Sequence, residues 1–289
     1  MPDFYPDLRN IGRFRFALVD ASLRDGIPAG VQQEVIAPAF LGEDTDRCPT
    51  LIALDSMPSS SRVAWCDELH SEVINREESR ASLLIESDSS LKALASHMAR
   101  RMALQTPGRD RPLQWRYFDP GTALQMPRVL GHVGLAWLMA PAKAWMVPWA
   151  GSWQPIAGPN DASQQDLMRF KLQSEHIAAL MRVSVINRTL LQNDKPLTAQ
   201  EWVDGSQQLD AIVVQGQTQH KLDHRDDLVA YAFHAWTKHL RIHEHPHMQG
   251  LLRELQQATP DDEIDYRELT ASITQQDWAR MAAELEHTT

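Results

Sequence analysis

From Ser82 to Glu86 the apolar residues Leu83, Leu84 and Ile85 run without a break between polar neighbours. This pattern predicts a short strand buried on both faces. Just beyond it Leu91, Leu94, Ala95, Met98 and Met102 recur every three or four residues, leaving Lys92, Ser96, His97 and Arg100 off the apolar stripe. That period predicts a helix capped by Asp88 or Ser89, with Arg100 and Arg101 at its negative end. After Pro107-Gly108 the period drops to two. Leu113, Trp115 and Tyr117 alternate with Gln114, Arg116 and Phe118, predicting a second strand that ends at Asp119-Pro120.

The same periods organise the rest of the first half. Phe14 to Asp20 predicts the first strand, closed by Gly26-Ile27-Pro28 and followed by a helix to Phe40. Leu51 to Leu54 predicts another strand, and Val63, Leu69, Val73 and Ile74 mark a helix over Ser61 to Glu78. Alternation of strand and helix through Gly131 predicts an α/β fold around a sheet of mixed strand direction, with right-handed crossovers. Gly131 to Gly151 is apolar enough to raise a membrane span, but His132, Pro141, Lys143 and Pro148 argue against one. Ala144 to Trp149 and Ser152 to Ile156 instead predict a hairpin turning at Ala150-Gly151.

At Gly158-Pro159-Asn160-Asp161 the strand pattern stops and helical periodicity takes over. The chain therefore reads as an α/β lobe over 1–157 and an all-helical lobe over 158–289. In the second lobe Leu167, Phe170, Ile177, Met181 and Val185 mark one face of a long helix, and Thr198 with Glu201 forms a capping box ahead of Trp202. Gly205 is expected to interrupt or end that second helix, and Gln215 to Arg225 to form a mobile loop. Leu228, Ala232, Ala235 and His239 begin a further helical face. Near the end Thr274 caps a helix carrying Trp278, Met281 and Leu285.

Charge narrows the partners. A formal net charge of −10 argues against nucleic acid, whose phosphates need a basic surface. Residues 1–10 include Asp3, Asp7 and Arg9 and no apolar core, so no secretory signal is expected. Cys48 and Cys66 form no CxxC pair and indicate neither a zinc site nor a disulfide framework. A cytoplasmic protein with reduced thiols, no cofactor and no membrane partner is the economical expectation.

Catalytic signatures are sparse. There is no GxGxxG loop, no GxxxxGK[ST] loop and no GxSxG elbow. The segment His243-Glu244-His245-Pro246-His247 matches HExxH letter for letter, and His239, His243, Glu244 and His247 define the alternative of a metal-dependent hydrolase. Pro246 breaks the helix that this geometry needs, so the expectation is a solvated, histidine-rich helix end. Cys48 and Cys66 read as buried small hydrophobes. The run Asp261-Asp262-Glu263-Ile264-Asp265 suits a first helical turn after Thr259-Pro260.

Three features have two readings each. Asp119, followed by Pro120, fits a helix N-cap, with acid catalysis as its other role. Arg116 either neutralises a bound anion or is a surface cation or the partner of a neighbour in an ion pair. Trp137, Trp145, Trp149 and Trp153 crowd one region and are either core or an exposed patch that anchors a partner.

Phe16-Ala17-Leu18-Val19-Asp20-Ala21, then Leu83-Leu84-Ile85-Glu86-Ser87 leading into a helix with His97 and Arg100, then Trp115-Arg116-Tyr117-Phe118-Asp119-Pro120, together resemble the domain-of-unknown-function family 4123. The resemblance runs from about Phe14 to Ile156, and its most specific element is the aromatic-aromatic-Asp-Pro step. The chain departs from the family pattern at Gly121-Thr122, where an arginine and an aliphatic residue are usual, and at Ala99, where an arginine is common. Members of that family are adaptor chaperones of bacterial type VI secretion. The resemblance implies a non-enzymatic adaptor that holds a cognate toxic effector in the cytoplasm and helps load it onto the VgrG spike. Arg116, Trp137, Trp145, Trp149 and Trp153 are then the candidate partner-binding residues.

Overall fold

The computed structural model describes residues 13–159, 161–257 and 264–287. The expectations for residues 1–10, for Asn160 and for Thr259 to Glu263 lie outside these. Two compact units divide the chain, Met1–Ile177 and Ala178–Thr289.

The first unit is built on eight strands, six of them in one sheet. In chain order they are β1 (Phe16–Val19), β2 (Gln33–Val35), β3 (Thr50–Ala53) and β4 (Ala81–Glu86), a separate ribbon of β5 (Ala103–Leu104) with β6 (Leu113–Gln114), and the hairpin β7 (Ala144–Trp149) and β8 (Ser152–Ala157). Helices α1 (Ser59–Ile74), α2 (Leu91–Arg101), α3 (Pro120–Ala123), α4 (Met126–Met139) and α5 (Gln164–Arg169) complete it. The large sheet has the order β2-β3-β1-β4-β7-β8. Every pairing in it is antiparallel, which corrects the mixed direction expected from alternation. The physical reason is that the strands joined by α1, β3 and β4, do not touch. They run the same way, but β1 lies between them and opposes both.

Continuous apolar runs are needed because both sheet faces are covered. On one face Ala17, Ile52, Leu84 and Met146 line up across the strands and meet Trp65, Cys66, Leu69 and Val73 of α1. Val63 and Ile74, expected on that stripe, are exposed. The opposite set, including Leu18, Leu51, Leu83, Ile85 and Trp145, is equally withdrawn from water, with Trp145 stacked on Tyr117 at 5.9 Å. In the hairpin Gly158 N–H bonds the Lys143 carbonyl, and Met146 stands opposite Pro155.

Several local expectations change. The helix proposed to reach Phe40 is instead β2 and a 3-10 turn, Ala39–Leu41. Pro38 prevents a helix through residue 37, and the chain finds backbone partners on β3 through Ala53 N–H to Gln32 and Ile36 N–H to Pro49. The strand expected over Leu113 to Phe118 stops at Gln114. Trp115 N–H still bonds Met102, but the chain then turns and Trp115, Tyr117 and Phe118 are all buried, so the alternation does not sort them. α2 is capped by Ser90, since Asp88 pairs with Lys143.

The expected boundary at Gly158 and the division after Ile177 differ because α5 and the residue after it pack on α4. Phe170 lies 5.2 Å from Trp137, and a side chain at Gly134 would meet its ring at 2.8 Å. The single long helix expected here is α5 and α6 (Ser174–Leu190), broken over 170–173, and Met181 of its supposed apolar face is exposed.

The second unit continues with α7 (Ala199–Gln219), α8 (Arg225–Thr237), a 3-10 turn at Ile242–Glu244, α9 (Pro246–Gln257), α10 (Tyr266–Ala271) and α11 (Gln275–Glu286). Reciprocal capping boxes, Thr198 with Glu201 and Thr274 with Asp277, start α7 and α11. Gly205 does not end α7. A Cβ there would lie 2.9 Å from Trp236 and 3.0 Å from Leu190, so glycine serves close packing within a continuous helix. The mobile loop expected from Gln215 is helical to Gln219, and Leu222 in the short connection is buried. Trp202, Leu209, Tyr231, Met248, Tyr266 and Met281 fill the core. Among the described residues no helix is long and apolar enough to cross a membrane.

Candidate functional site

β1 ends at Val19 and delivers Asp20 to the start of a 3-10 turn, where its Oδ1 accepts from the Ser22 amide and hydroxyl. Its other oxygen accepts from Arg116 Nη2. Arg116 also forks onto Asp119, with Nε at 3.0 Å from both oxygens and Nη2 at 2.8 Å from Oδ1. Asp119 occupies the N-cap position of α3 with Pro120 at the first helical residue, yet its side chain makes no cap bond because Arg116 holds it. The guanidinium carbon lies 5.0 Å over the Phe118 ring.

One cation thus sits between two carboxylates. Burial opposes the charge on Arg116, but Asp119 and then Asp20 outweigh it and raise its pKa. Burial also pushes Asp20 upward, but the Ser22 amide and Arg116 hold it below the usual carboxylate range. Burial prevails at Asp119, which is raised despite Arg116. Of the two readings of Arg116, the structure shows the ion pair.

Beside this cluster Gln114 Nε2 approaches Cys48 Sγ at 3.8 Å, and Arg24 braces the same loop through Thr50 Oγ1 at 3.0 Å and the carbonyls of Thr45 and Cys48. Burial raises the Cys48 thiol and pushes Cys66 up to about 11, so both remain protonated at neutral pH.

A second arrangement joins α2 to α4. The carbonyls of Trp137 and Leu138, in the last turn of α4, accept from Arg101 Nε at 3.1 Å and meet His97 Nε2 at 3.2 Å. A helix end leaves such carbonyls without intrahelical partners, and these side chains supply them. His97 must carry its proton on Nε2 to do so. Arg101 also lies 3.6 Å from the Trp137 ring centroid. Burial lowers Arg101 to about 10 and, with Arg101 adding to burial, lowers His97 to about 4.

The four tryptophans do not form one surface. Trp145 and Trp153 are 1% and 3% exposed and belong to the core, whereas Trp137 and Trp149 are half-buried.

The histidine segment is not a solvated helix end. His243 and His245 are buried, with His243 stacked on Tyr231 at 3.4 Å and His245 Nε2 2.9 Å from Glu284. Pro246 starts α9 and leaves His243 in the preceding turn. His239 accepts from the Arg241 amide. Among the described residues no three His, Cys, Asp or Glu side chains stand where they could hold a metal ion. Nearby, a half-open cleft of about 750 Å³ is lined by His220, Lys221, Asp227, Asp265 and Arg267.

Sequence reasoning singled out Arg116 and Asp119 but missed Asp20 as their third member. Its signal was local, an Asp at a strand end two residues before a serine. Tyr231 and Tyr266 carried no such signal. In comparison with known proteins, the chain matches no family model, no curated protein and no solved structure.

Proposed function

We propose that this protein is an adaptor chaperone of type VI secretion, binding a cognate toxic effector and promoting its loading onto the VgrG spike without catalysis. One observation carries the reading beyond the resemblance itself. The segments that resemble family 4123 converge in space: Asp20 from the first, and Arg116 and Asp119 from the third, form one ion cluster, and the first segment pairs with the second as β1 against β4. His97 of the linking helix caps α4. The similarity therefore falls on residues that hold one architecture together.

An adaptor needs apolar surface to shield part of its client, rimmed by polar groups that keep binding reversible. Val35, Val63 and Ile74 of the first unit and Met181, Leu191 and Leu240 of the second are exposed and supply such positions. Trp137 and Trp149, half-buried, are the tryptophans available as anchors; Trp145 and Trp153 support the sheet from within. Affinity purification from the native cytoplasm, with bound chains identified by mass spectrometry, tests the reading. Recovery of one toxin-like protein together with VgrG is expected. Recovery of neither, while both are expressed, would overturn it.

A further inference from the structure

Three imidazoles of the helical unit gather around Tyr231 and Tyr266: His220 after α7 and His243 in the turn before α9, both buried, and the half-buried His234 in α8. His234 Nδ1 and His243 Nε2 both contact the Tyr266 hydroxyl, at 2.9 and 3.1 Å. A hydroxyl has one proton, so Tyr266 donates to one ring and accepts from the other. That arrangement requires the accepting imidazole to be neutral, and it is lost when both rings are protonated.

Their surroundings offer a proton no partner. His234 faces Tyr266 of α10, Trp278 of α11 at 4.4 Å between rings, and Lys238 of its own helix. His243 faces Tyr231 of α8, Tyr266 of α10 and the other two imidazoles, while Gln249 of α9 takes its carbonyl. His220 faces Tyr231 at 5.7 Å and borders the cleft that holds Lys221, Asp223, Asp227, Asp265 and Arg267. The nearby carboxylates are committed elsewhere: Glu244 to Arg241, Asp227 and Asp265 to Arg267, and Glu284 to His245.

We propose that this cluster is an acid-operated latch, in which protonation of His234 and His243 opens the packing of the Ile242–Glu244 turn and α10 against α8 while the sheet unit stays folded. A proton on the accepting ring, and so the protonation of both, places two donors on the Tyr266 oxygen and leaves the hydroxyl proton with no acceptor among these groups. It also sets a charge against Tyr231 or Trp278 with no carboxylate to balance it.

The direction follows from linkage. In the opened form the imidazoles take protons near pH 6.5. In the closed form burial holds His234 to about 4 and holds His243 well below its ordinary value. Stability is therefore full above pH 6.5 and falls below it. Two protons taken up on opening multiply the open population by about a hundredfold per pH unit. The first unit has one comparably lowered histidine, His97, among its described residues, and responds by about tenfold per unit.

Hydrogen exchange with mass spectrometry at pH 7 and pH 5, corrected for intrinsic rates, tests this on the full chain. Peptides over 225–257 and 264–287 are expected to lose roughly a thousandfold in protection, and sheet peptides over 16–157 about thirtyfold. Loss of equal size in both units, or retained protection at pH 5, would overturn the latch. His243→Phe, which keeps the stack on Tyr231, and His234→Gln, which keeps a partner for Tyr266, are each expected to reduce the dependence to about tenfold per unit. An unchanged dependence in both variants also overturns it. If one variant fails to fold, the other and the unit-by-unit comparison still decide.

Discussion

Arg116 serves three bonds on Asp119 and one on Asp20. Replacing it by alanine leaves two carboxylates facing one another without a cation. The side chain is 37% exposed, so water moderates the loss, and about 1–3 kcal/mol of stability is expected to disappear in urea unfolding. Arg116→Lys keeps the charge but not the planar fork, and an intermediate loss is expected. His97→Gln gives a different test. The amide can still donate to Leu138, but it does not titrate. Because His97 is held to about 4, wild-type stability falls between pH 6.5 and 4 by roughly 3 kcal/mol from this group alone. The variant is expected to match wild type at pH 7 and to show a flatter acid limb by about that amount. Asp20 acts in the same direction at lower pH, since its lowered pKa gives stability that is lost as pH falls from the ordinary carboxylate value through the lowered one.

At the scale of elements, what could be read from the sequence was what is decided locally. Thr198 with Glu201, and Thr274 ahead of Trp278, announce helix starts because the capping groups lie within one turn of each other. The apolar run of β4 and the hairpin of β7 and β8 were legible for the same reason. Gly205 was not. Its role is set by Trp236 from the next helix, which periodicity around residue 205 cannot show. Gly205→Ala should raise intrinsic helix propensity by about 1 kcal/mol. Overpacking against Trp236 and Leu190 opposes it, and a net loss of about 1–2 kcal/mol in thermal or urea unfolding is expected. The short β2 and the turn after Trp115 were equally hidden. β2 exists because it pairs with β3, and the turn starts where Trp115 N–H bonds Met102 just past α2, so that distant partners set both. The ion cluster was half legible. Asp119-Pro120 identified the position, whereas Asp20 joins it only through the fold.

At the scale of the molecule, the shift from strand to helical periodicity located the passage between two kinds of architecture but not the end of the first unit. α5 and Phe170 read as helix and were assigned forward, although they cover α4. A fragment ending at 177 is therefore expected to retain more of the first unit's stability than one ending at 157, by about 2 kcal/mol or more, since losing Phe170 exposes Trp137 and an aromatic contact. Equal urea midpoints for the two fragments would contradict this.

The hairpin at the sheet's end has one more effect. Because Gly158 bonds Lys143, the positions of β8 that face β7 are 152, 154 and 156, and Pro155 falls on the outward side. A row of free amide donors at a sheet border is a template on which another chain can crystallise its own backbone; here the middle donor is missing because proline has none. The border at β8 is thus closed to self-recruitment by covalent chemistry rather than by charge. Pro155→Thr reinstates that donor, and light scattering at rising concentration is expected to detect association in the variant where the parent chain shows none.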